Sequence, residues 1–269
     1  MGFLSELTES MFFRGTSLPY WSAQHYGLET KFGEASVTEK ESVQYQVLQP
    51  KLVKGQVSKG FVFFFHSGQF NMSYNMQQVA YLALDGYAVA LFDYRGIGHS
   101  SGSTTLAGIE EDAQAVWVAI NSDPENKEKY KMEKVAGFGQ GVGADAALRF
   151  SIRHQNEIKA LIVESIYATR QGWLRERYGP VVGDVTAKLL NCSAVEPIEI
   201  LPELKCPLVL VKPQRDDYVR KNEQALVSVA LPEQAEIWEV PGKNYLGVFS
   251  DNNSPFREKF TDFLKTSFK

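Results

Sequence analysis

The chain has 269 residues, of which 44% are apolar, and we expect one domain spanning 1–269 with a large buried core. Its net charge of −4 argues against a nucleic-acid-binding protein, which needs a basic face. No apolar run reaches the ~18 residues of a membrane span and no signal peptide is evident, so we expect a cytoplasmic protein unless an N-terminal targeting segment has been removed.

Strand-like and helix-like segments alternate along the chain. Apolar or alternating runs predict strands at 42–48, 60–66, 87–93, 158–164, 207–212 and 235–240. Helical spacing covers 75–85, 106–121 and 256–263 or beyond. This alternation predicts an α/β fold, with a mostly parallel twisted sheet that carries helices on both faces.

The segment 134–148 combines a short apolar strand, a glycine-dense turn and an alanine-rich helix. In the G-x-S-x-G pattern the nucleophile sits on a sharp turn between a strand and a helix. We place that position at Gly139, between Gly137 and Gly141. The flanking glycines suit a close approach of strand and helix, but a glycine has no side chain with which to attack. The segment therefore keeps the form of a nucleophile elbow without its nucleophile.

Six predicted loops follow the carboxyl ends of the strands, where ligand sites of parallel sheets lie. They lie at 66–68, 93–100, 139–140, Ser165, Asp216 and Tyr245. We expect them to converge on one site.

Five sequence blocks between Tyr45 and the C-terminus carry a family resemblance. They are FHSGQ, LFDYRGIGHSSG, GFGQGVGA, CPLVLVKPQRDDYV and VPGKNYLGVF. In order and spacing they resemble the α/β-hydrolase superfamily, and within it the serine-aminopeptidase-like and monoacylglycerol-lipase-like hydrolases.

The resemblance implies a role for each matching position. His66, Ser67 and Gly68 match the oxyanion loop, with Ser67 in place of its glycine. The other implied roles are the nucleophile position at Gly139, the second oxyanion amide at Gln140, the triad acid at Asp216 and the triad base position at Tyr245. The resemblance also implies that Arg95 shapes the turn beside the site, and from the positions of the loops we expect Arg95, His99 and Ser165 at the pocket.

Two of the three triad positions depart from the family pattern. A triad needs a nucleophile, a base that titrates near neutral pH and a carboxylate that orients this base. Tyr245, with an ordinary pKa of about 10, is a poor base, and Gly139 is no nucleophile. We expect an inactive pseudohydrolase that binds a small apolar ligand or a protein partner, as a monomer or homodimer. The alternative is an enzyme with a non-standard nucleophile and base.

Other candidate nucleophiles have structural explanations. The segment 98–102 also matches G-x-S-x-G, but it follows a strand by several loop residues and leads into no helix at once. Cys192 and Cys206 are too few for a disulfide framework and lack metal-site spacing, so we expect reduced thiols, no metal and no cofactor.

An insertion at about 165–203 falls where the superfamily places a cap. Its aromatic residues alternate with Arg170, Arg175 and Arg177, which favours a small helical lid with solvated arginines. A sharper hypothesis is that the lid closes an apolar pocket over the strand ends, with Tyr245, Asp216, Gln140 and Arg95 as polar anchors.

Overall fold

An eight-stranded sheet forms the centre of the structure, a computed structural model that describes residues 7–52, 56–190 and 192–269. The strands are β1 (Arg14–Gly15), β2 (Thr30–Ser36), β3 (Ser42–Leu48), β4 (Phe61–Phe65), β5 (Gln69–Phe70), β6 (Ala88–Phe92), β7 (Val135–Gln140), β8 (Ile158–Glu164), β9 (Leu208–Arg215) and β10 (Glu236–Asn244). The α-helices are α1 (Met72–Asn75), α2 (Ala80–Leu84), α3 (Gly108–Ser122), α4 (Pro124–Lys129), α5 (Val142–Arg153), α6 (Arg170–Tyr178), α7 (Pro180–Leu189), α8 (Pro197–Ile200), α9 (Lys221–Ala230) and α10 (Pro255–Ser267).

The strand order in the large sheet is β10-β9-β8-β7-β4-β6-β3-β2. Neighbouring strands from β10 to β6 are parallel, whereas β3 is antiparallel to both β6 and β2. The short strands β1 and β5 form a separate parallel pair. The predicted α/β fold with a mostly parallel sheet is confirmed.

Helices cover both faces of the sheet, as the apolar central strands require. Every residue of β4 is buried, as expected for a parallel strand with no face in water. Phe63 packs on one face with residues of α3 and α5, and Phe64 packs on the other with residues of α2 and α10. The alternation of side chains along each strand thus builds two cores around one sheet.

One predicted helix is broken in the structure, and one long strand was not predicted. The helix expected at 75–85 is broken into α1, a 3-10 turn at Met76–Gln78 and α2, because Val79 leaves the helical region (φ −133°, ψ −11°). Strand β2 was not predicted, since its sequence has little apolar alternation. It is held by pairing with β3, and Gly33 leaves room for the Tyr45 ring that lies across it.

The insertion at 165–203 contains α6, α7 and α8. The prediction that its arginines are solvated is wrong for Arg170, whose side chain is buried against Asp145 (2.8 Å) and Glu196 (3.1 Å). Arg175 is exposed and pairs with Asp184 at the surface (3.2 Å). The segment expected to form the lid is therefore anchored to α5 through a buried ion pair.

Within the described ranges, no helix combines the length and apolar character needed to cross a bilayer. The same residues contain no group of histidine, cysteine or carboxylate side chains that could hold a metal ion. Cys192 and Cys206 are both free thiols, and burial raises the pKa of each.

Candidate functional site

The sharp turn between β7 and α5 lies at Gly141. This residue has φ 58° and ψ −121°, a left-handed conformation that favours glycine. Gly139 lies inside β7, where a Cβ would come within 2.6 Å of the Ala144 Cα and the Gly143 oxygen. The prediction that the turn lies at Gly139 is therefore wrong by two residues.

Tyr245 follows β10 and reaches over this turn. A Cβ at Gly141 would collide with the Tyr245 hydroxyl, so the phenol occupies the space into which a side chain would project. The Tyr245 ring stacks on Tyr218, with centroids 4.6 Å apart and planes at 14°. Burial raises the pKa of Tyr245 well above its ordinary value, so the phenol stays protonated at neutral pH.

Asp216 follows β9 and braces its own turn. Its carboxylate accepts hydrogen bonds from the backbone N–H groups of Tyr218 (2.9 Å) and Val219 (3.0 Å) and, at 3.4 Å, from Gln224. Burial raises the pKa of Asp216, while the two backbone hydrogen bonds and the hydroxyl of Ser165 oppose the rise. None of these hydrogen bonds involves Tyr245.

The loop 66–68 leaves the end of β4 beside Gly141. His66 Nδ1 accepts a hydrogen bond from the Gly68 N–H (3.2 Å), and its ring stacks on Tyr94 (4.3 Å between centroids). Burial lowers the pKa of His66 to about 3, so the imidazole ring does not take up a proton near neutral pH and stays uncharged. Gly68 has φ 71°, and a Cβ there would come within 2.9 Å of the Phe13 ring.

Gln140 and Glu164 end adjacent strands and form a buried pair that sequence analysis missed. Gln140 Nε2 donates to Glu164 Oε2 (2.6 Å), and the Leu246 N–H donates to Glu164 Oε1 (3.2 Å). Burial raises the pKa of Glu164 to about 8 despite these bonds. A carboxyl group directly after the apolar run 160–163 was the signal that could have identified it.

Two predicted pocket residues do not belong to the site. Arg95 donates to Asp112 (2.5 Å), Glu111 (2.7 Å) and Glu41 (3.2 Å), so its guanidinium braces the loop after β6 instead of anchoring a ligand. His99 is exposed in the same loop. The prediction that Arg95 is a pocket anchor is wrong.

The second G-x-S-x-G match, at 98–102, is structural. Ser100 Oγ donates to the Asp93 carbonyl (2.7 Å) and accepts from the Gln44 N–H (2.9 Å). Ser101 Oγ accepts from the Ser42 N–H (2.8 Å). Both hydroxyls hold the loop against β3.

An aromatic column fills the space between the lid and the strand ends. Phe12, from the N-terminal segment, stacks on Trp173 of α6 (4.4 Å between centroids). The Trp173 ring contacts the rings of Tyr167 (6.2 Å between centroids) and Tyr218 (5.2 Å between centroids). Tyr218 in turn stacks on Tyr245. The prediction of an apolar-walled pocket at this place is wrong, because aromatic rings already occupy it.

A polar cavity of about 410 Å³ remains beside the outer edge of Tyr245. It is lined by Arg14, Gln69, Tyr74, Gln77, Gln78, Arg177, Asp217, Tyr218, Asn244, Tyr245, Leu246, Gly247 and Ser250. A larger cleft of about 820 Å³ lies between β9, β10 and α9, but of the predicted site residues it reaches only Asp216. The 410 Å³ cavity thus opens onto the strand ends around Tyr245.

The buried carboxyl of Glu164 leads to a prediction about pH. Its ordinary pKa of 4.5 is raised to about 8 in the folded protein, so between these values the folded state holds a proton that the unfolded chain releases. Raising the pH through this window should favour unfolding, by about 1.4 kcal/mol for each pH unit between the two pKa values. Urea unfolding at pH 5 and pH 9 measures the loss.

The variant Glu164→Gln should lose less stability between the two pH values than the wild type. Burial also raises the pKa of Asp93, to about 7, so part of the pH dependence of stability should remain in both proteins. Glu239→Gln is the matched control, since the side chain of Glu239 is 77% exposed. An unchanged pH dependence in Glu164→Gln would contradict the assignment.

Comparisons with known proteins agree with this architecture. A family model described as serine aminopeptidase, S33 matches residues 56–230. YfhR of Escherichia coli K12 is 27% identical over 205 residues, which are 74% of this chain and 68% of YfhR. The protein Bem46 of Schizosaccharomyces pombe is 24% identical over 172 residues, 63% of this chain and 56% of Bem46.

Among solved structures, the esterase Pf2001 of Pyrococcus furiosus superposes with a TM-score of 0.75. The alignment covers 96% of this chain and 98% of the esterase, at 18% sequence identity. At this identity the likeness concerns the fold alone.

Proposed function

Because this chain belongs to the serine aminopeptidase S33 family and has the α/β-hydrolase fold, we propose that it is a member without serine-based hydrolysis that acts by binding. One observation carries the proposal. Gly141, at the turn between β7 and α5, has no side chain, and the Tyr245 phenol lies in the space where a nucleophile would project.

Because the turn lies at Gly141 and not at Gly139, the family positions at this turn move by two residues from those predicted. In the nucleophile elbow the nucleophile occupies the turn itself, and the N–H of the next residue helps to form the oxyanion hole. Here those positions are Gly141 and Val142, in place of Gly139 and Gln140. Gln140 then serves as a partner of Glu164.

The surroundings of Gly141 also disfavour the family mechanism. Tyr245 stands at the base position, and its raised pKa keeps it a hydrogen-bond donor. Asp216 stands at the acid position with no imidazole to orient. The Gly68 N–H, a candidate oxyanion donor, already donates to His66. A substrate oxyanion would have to break that bond.

A second candidate function is an enzyme with a non-standard nucleophile. The observation in its favour is that Ser67 belongs to the loop 66–68, whose Gly68 lies against the Val142 side chain at the start of α5, so an alcohol lies near the turn. Ser67 Oγ also contacts Asn75 Oδ1 (3.4 Å) and accepts from the Gln69 N–H (3.3 Å). These neutral partners supply no base to activate it, which is why we prefer the binding function.

We expect the protein to remain unlabelled by a fluorophosphonate probe and to show no burst of product from p-nitrophenyl acetate. The reason is that a fluorophosphonate reacts with an activated serine, and the described partners of Ser67 supply no base to activate it. Intact-protein mass spectrometry and stopped-flow absorbance measure the two outcomes. Stoichiometric labelling of Ser67 or Ser165 would refute the proposal in favour of the second candidate.

The double variant Gly141→Ser, Tyr245→His is the matched positive control. Tyr245→His removes the ring that collides with a Cβ at Gly141, while the serine takes up a left-handed conformation that costs about 1–3 kcal/mol. We expect this variant to fold and to react weakly with the probe. Labelling of the variant but not of the wild type would show that the assay detects a serine at this turn.

A further inference from the structure

The cavity of about 410 Å³ beside Tyr245 falls within the usual range of small-molecule sites, roughly 300–1,000 Å³. The N-terminal strand β1, the lid helix α6 and the loop after β10 each contribute to its wall. These three elements meet over the strand ends. The cavity is therefore built by tertiary packing around the proposed binding site.

The chemistry of the wall disfavours an acyl chain as the ligand. Among the described residues, the side-chain amides of Gln69, Gln77 and Asn244 line the cavity and have no hydrogen-bond partner in the protein. An apolar ligand would strip water from these amides without replacing its hydrogen bonds, which is unfavourable. A ligand that carries hydroxyl or amide groups would satisfy them.

The charge of the wall favours an anion. Arg14 reaches the cavity from β1 and Arg177 from α6, and neither guanidinium lies within 4.0 Å of a carboxylate in the part of the chain that the structure describes. Arg177 is held in place by its hydrogen bond to the Asp217 carbonyl (3.2 Å) and by the Trp173 ring beneath it (5.5 Å). Asp217 supplies the one carboxylate among the lining residues.

We propose that this cavity binds a small hydrophilic anion, with Arg14 and Arg177 on its carboxylate or phosphate group and the amides on its hydroxyl groups. Arginine suits this role because its planar N–H groups match the geometry of both kinds of anion. The proposal rests on the proposed binding function and names its ligand class. It replaces the small apolar ligand expected from the sequence.

Three sugars with the same ring and different charges test the proposal by calorimetric titration. Glucuronate carries a carboxylate, glucose 6-phosphate carries a phosphate and glucose carries neither. We expect at least one of the two anions to bind with a Kd of about 1 mM or below. Glucose should bind at least tenfold more weakly, because it lacks the charged group that would accept hydrogen bonds from the arginines. The relative affinities of the two anions distinguish a carboxylate ligand from a phosphate ligand.

The variants Arg14→Gln and Arg177→Gln should each weaken anion binding at least tenfold. Arg175→Gln is the matched control, because Arg175 lies on the same helix as Arg177 but pairs with Asp184 at the surface. It should bind as the wild type does. Circular dichroism checks that each variant is folded.

Several outcomes would overturn the anion assignment. These are equal binding of glucose, wild-type affinity in both cavity variants, and no binding of any of the three sugars. Tighter binding of octanoate than of glucuronate would also overturn it, although the protein would still have a binding function. Failure of the proposed function itself has a different signature, namely fluorophosphonate labelling of the wild type.

Discussion

Gly143→Ala should destabilise the fold by about 3–5 kcal/mol, at or above the upper end of the cost of overpacking. Gly143 lies in the first turn of α5, where the helix approaches the end of β4. A Cβ there would collide with the carbonyl oxygens of Phe65 and His66. Because these atoms belong to the backbone of a central strand and its loop, relief requires the helix to move away from the sheet.

Gly137→Ala is the matched control for this prediction. A Cβ at Gly137 would meet only the side chains of Leu161 (3.0 Å) and Ser151 (3.3 Å), which can shift by a few tenths of an ångström. We expect a change within about 1 kcal/mol, since alanine also lowers the entropy of the unfolded chain. Urea unfolding of both variants measures the difference. Equal stability of the two would mean that α5 is not held against β4 at Gly143.

Asp145→Asn should cost about 3–5 kcal/mol, because it leaves buried arginines without their shared counter-charge. Asp145 has no exposed surface and accepts hydrogen bonds from Arg149 (3.0 Å), Arg170 (2.8 Å) and the Tyr167 hydroxyl (2.8 Å). Burial alone would raise the pKa of Asp145, but the two guanidinium groups hold it below its ordinary value. The lid should loosen together with the loss of stability, since Arg170 belongs to α6.

Asp184→Asn tests whether burial accounts for the effect. Asp184 also pairs with an arginine, Arg175 (3.2 Å), but at the surface, where such pairs contribute about 0–1 kcal/mol. Thermal unfolding of the two variants, with limited proteolysis to report on the lid, makes the comparison. If Asp145→Asn were as mild as Asp184→Asn, the buried pair would not anchor the lid.

Periodicity was sufficient for most of the fold. The strands β3 and β8 coincide with their predicted ranges, because alternating or continuous apolar runs have few other ways to bury their side chains. Prediction was weaker where a contact distant in sequence stabilises an element. The strand β2 depends on its pairing with β3, which no local pattern in its own residues indicates.

The candidate site was predicted less completely, and the glycines show why. Gly139, Gly141 and Gly143 are evenly spaced, so the sequence alone does not reveal which of them takes up the turn. In the structure one glycine has a left-handed backbone, while the other two allow a strand and a helix to approach closely. Only the three-dimensional path of the chain separates these roles.

The sequence by itself determined that the segment 134–148 contains no serine and that no histidine follows His154, since both facts depend only on residue identity. The tertiary structure decided that Tyr245 fills the space over Gly141 and that Arg170 is buried. It also decided that the remaining cavity is polar. The physical reason is that burial and contact depend on residues far apart in the chain, whose mutual positions are set only when the sheet, the lid and the N-terminal segment pack together.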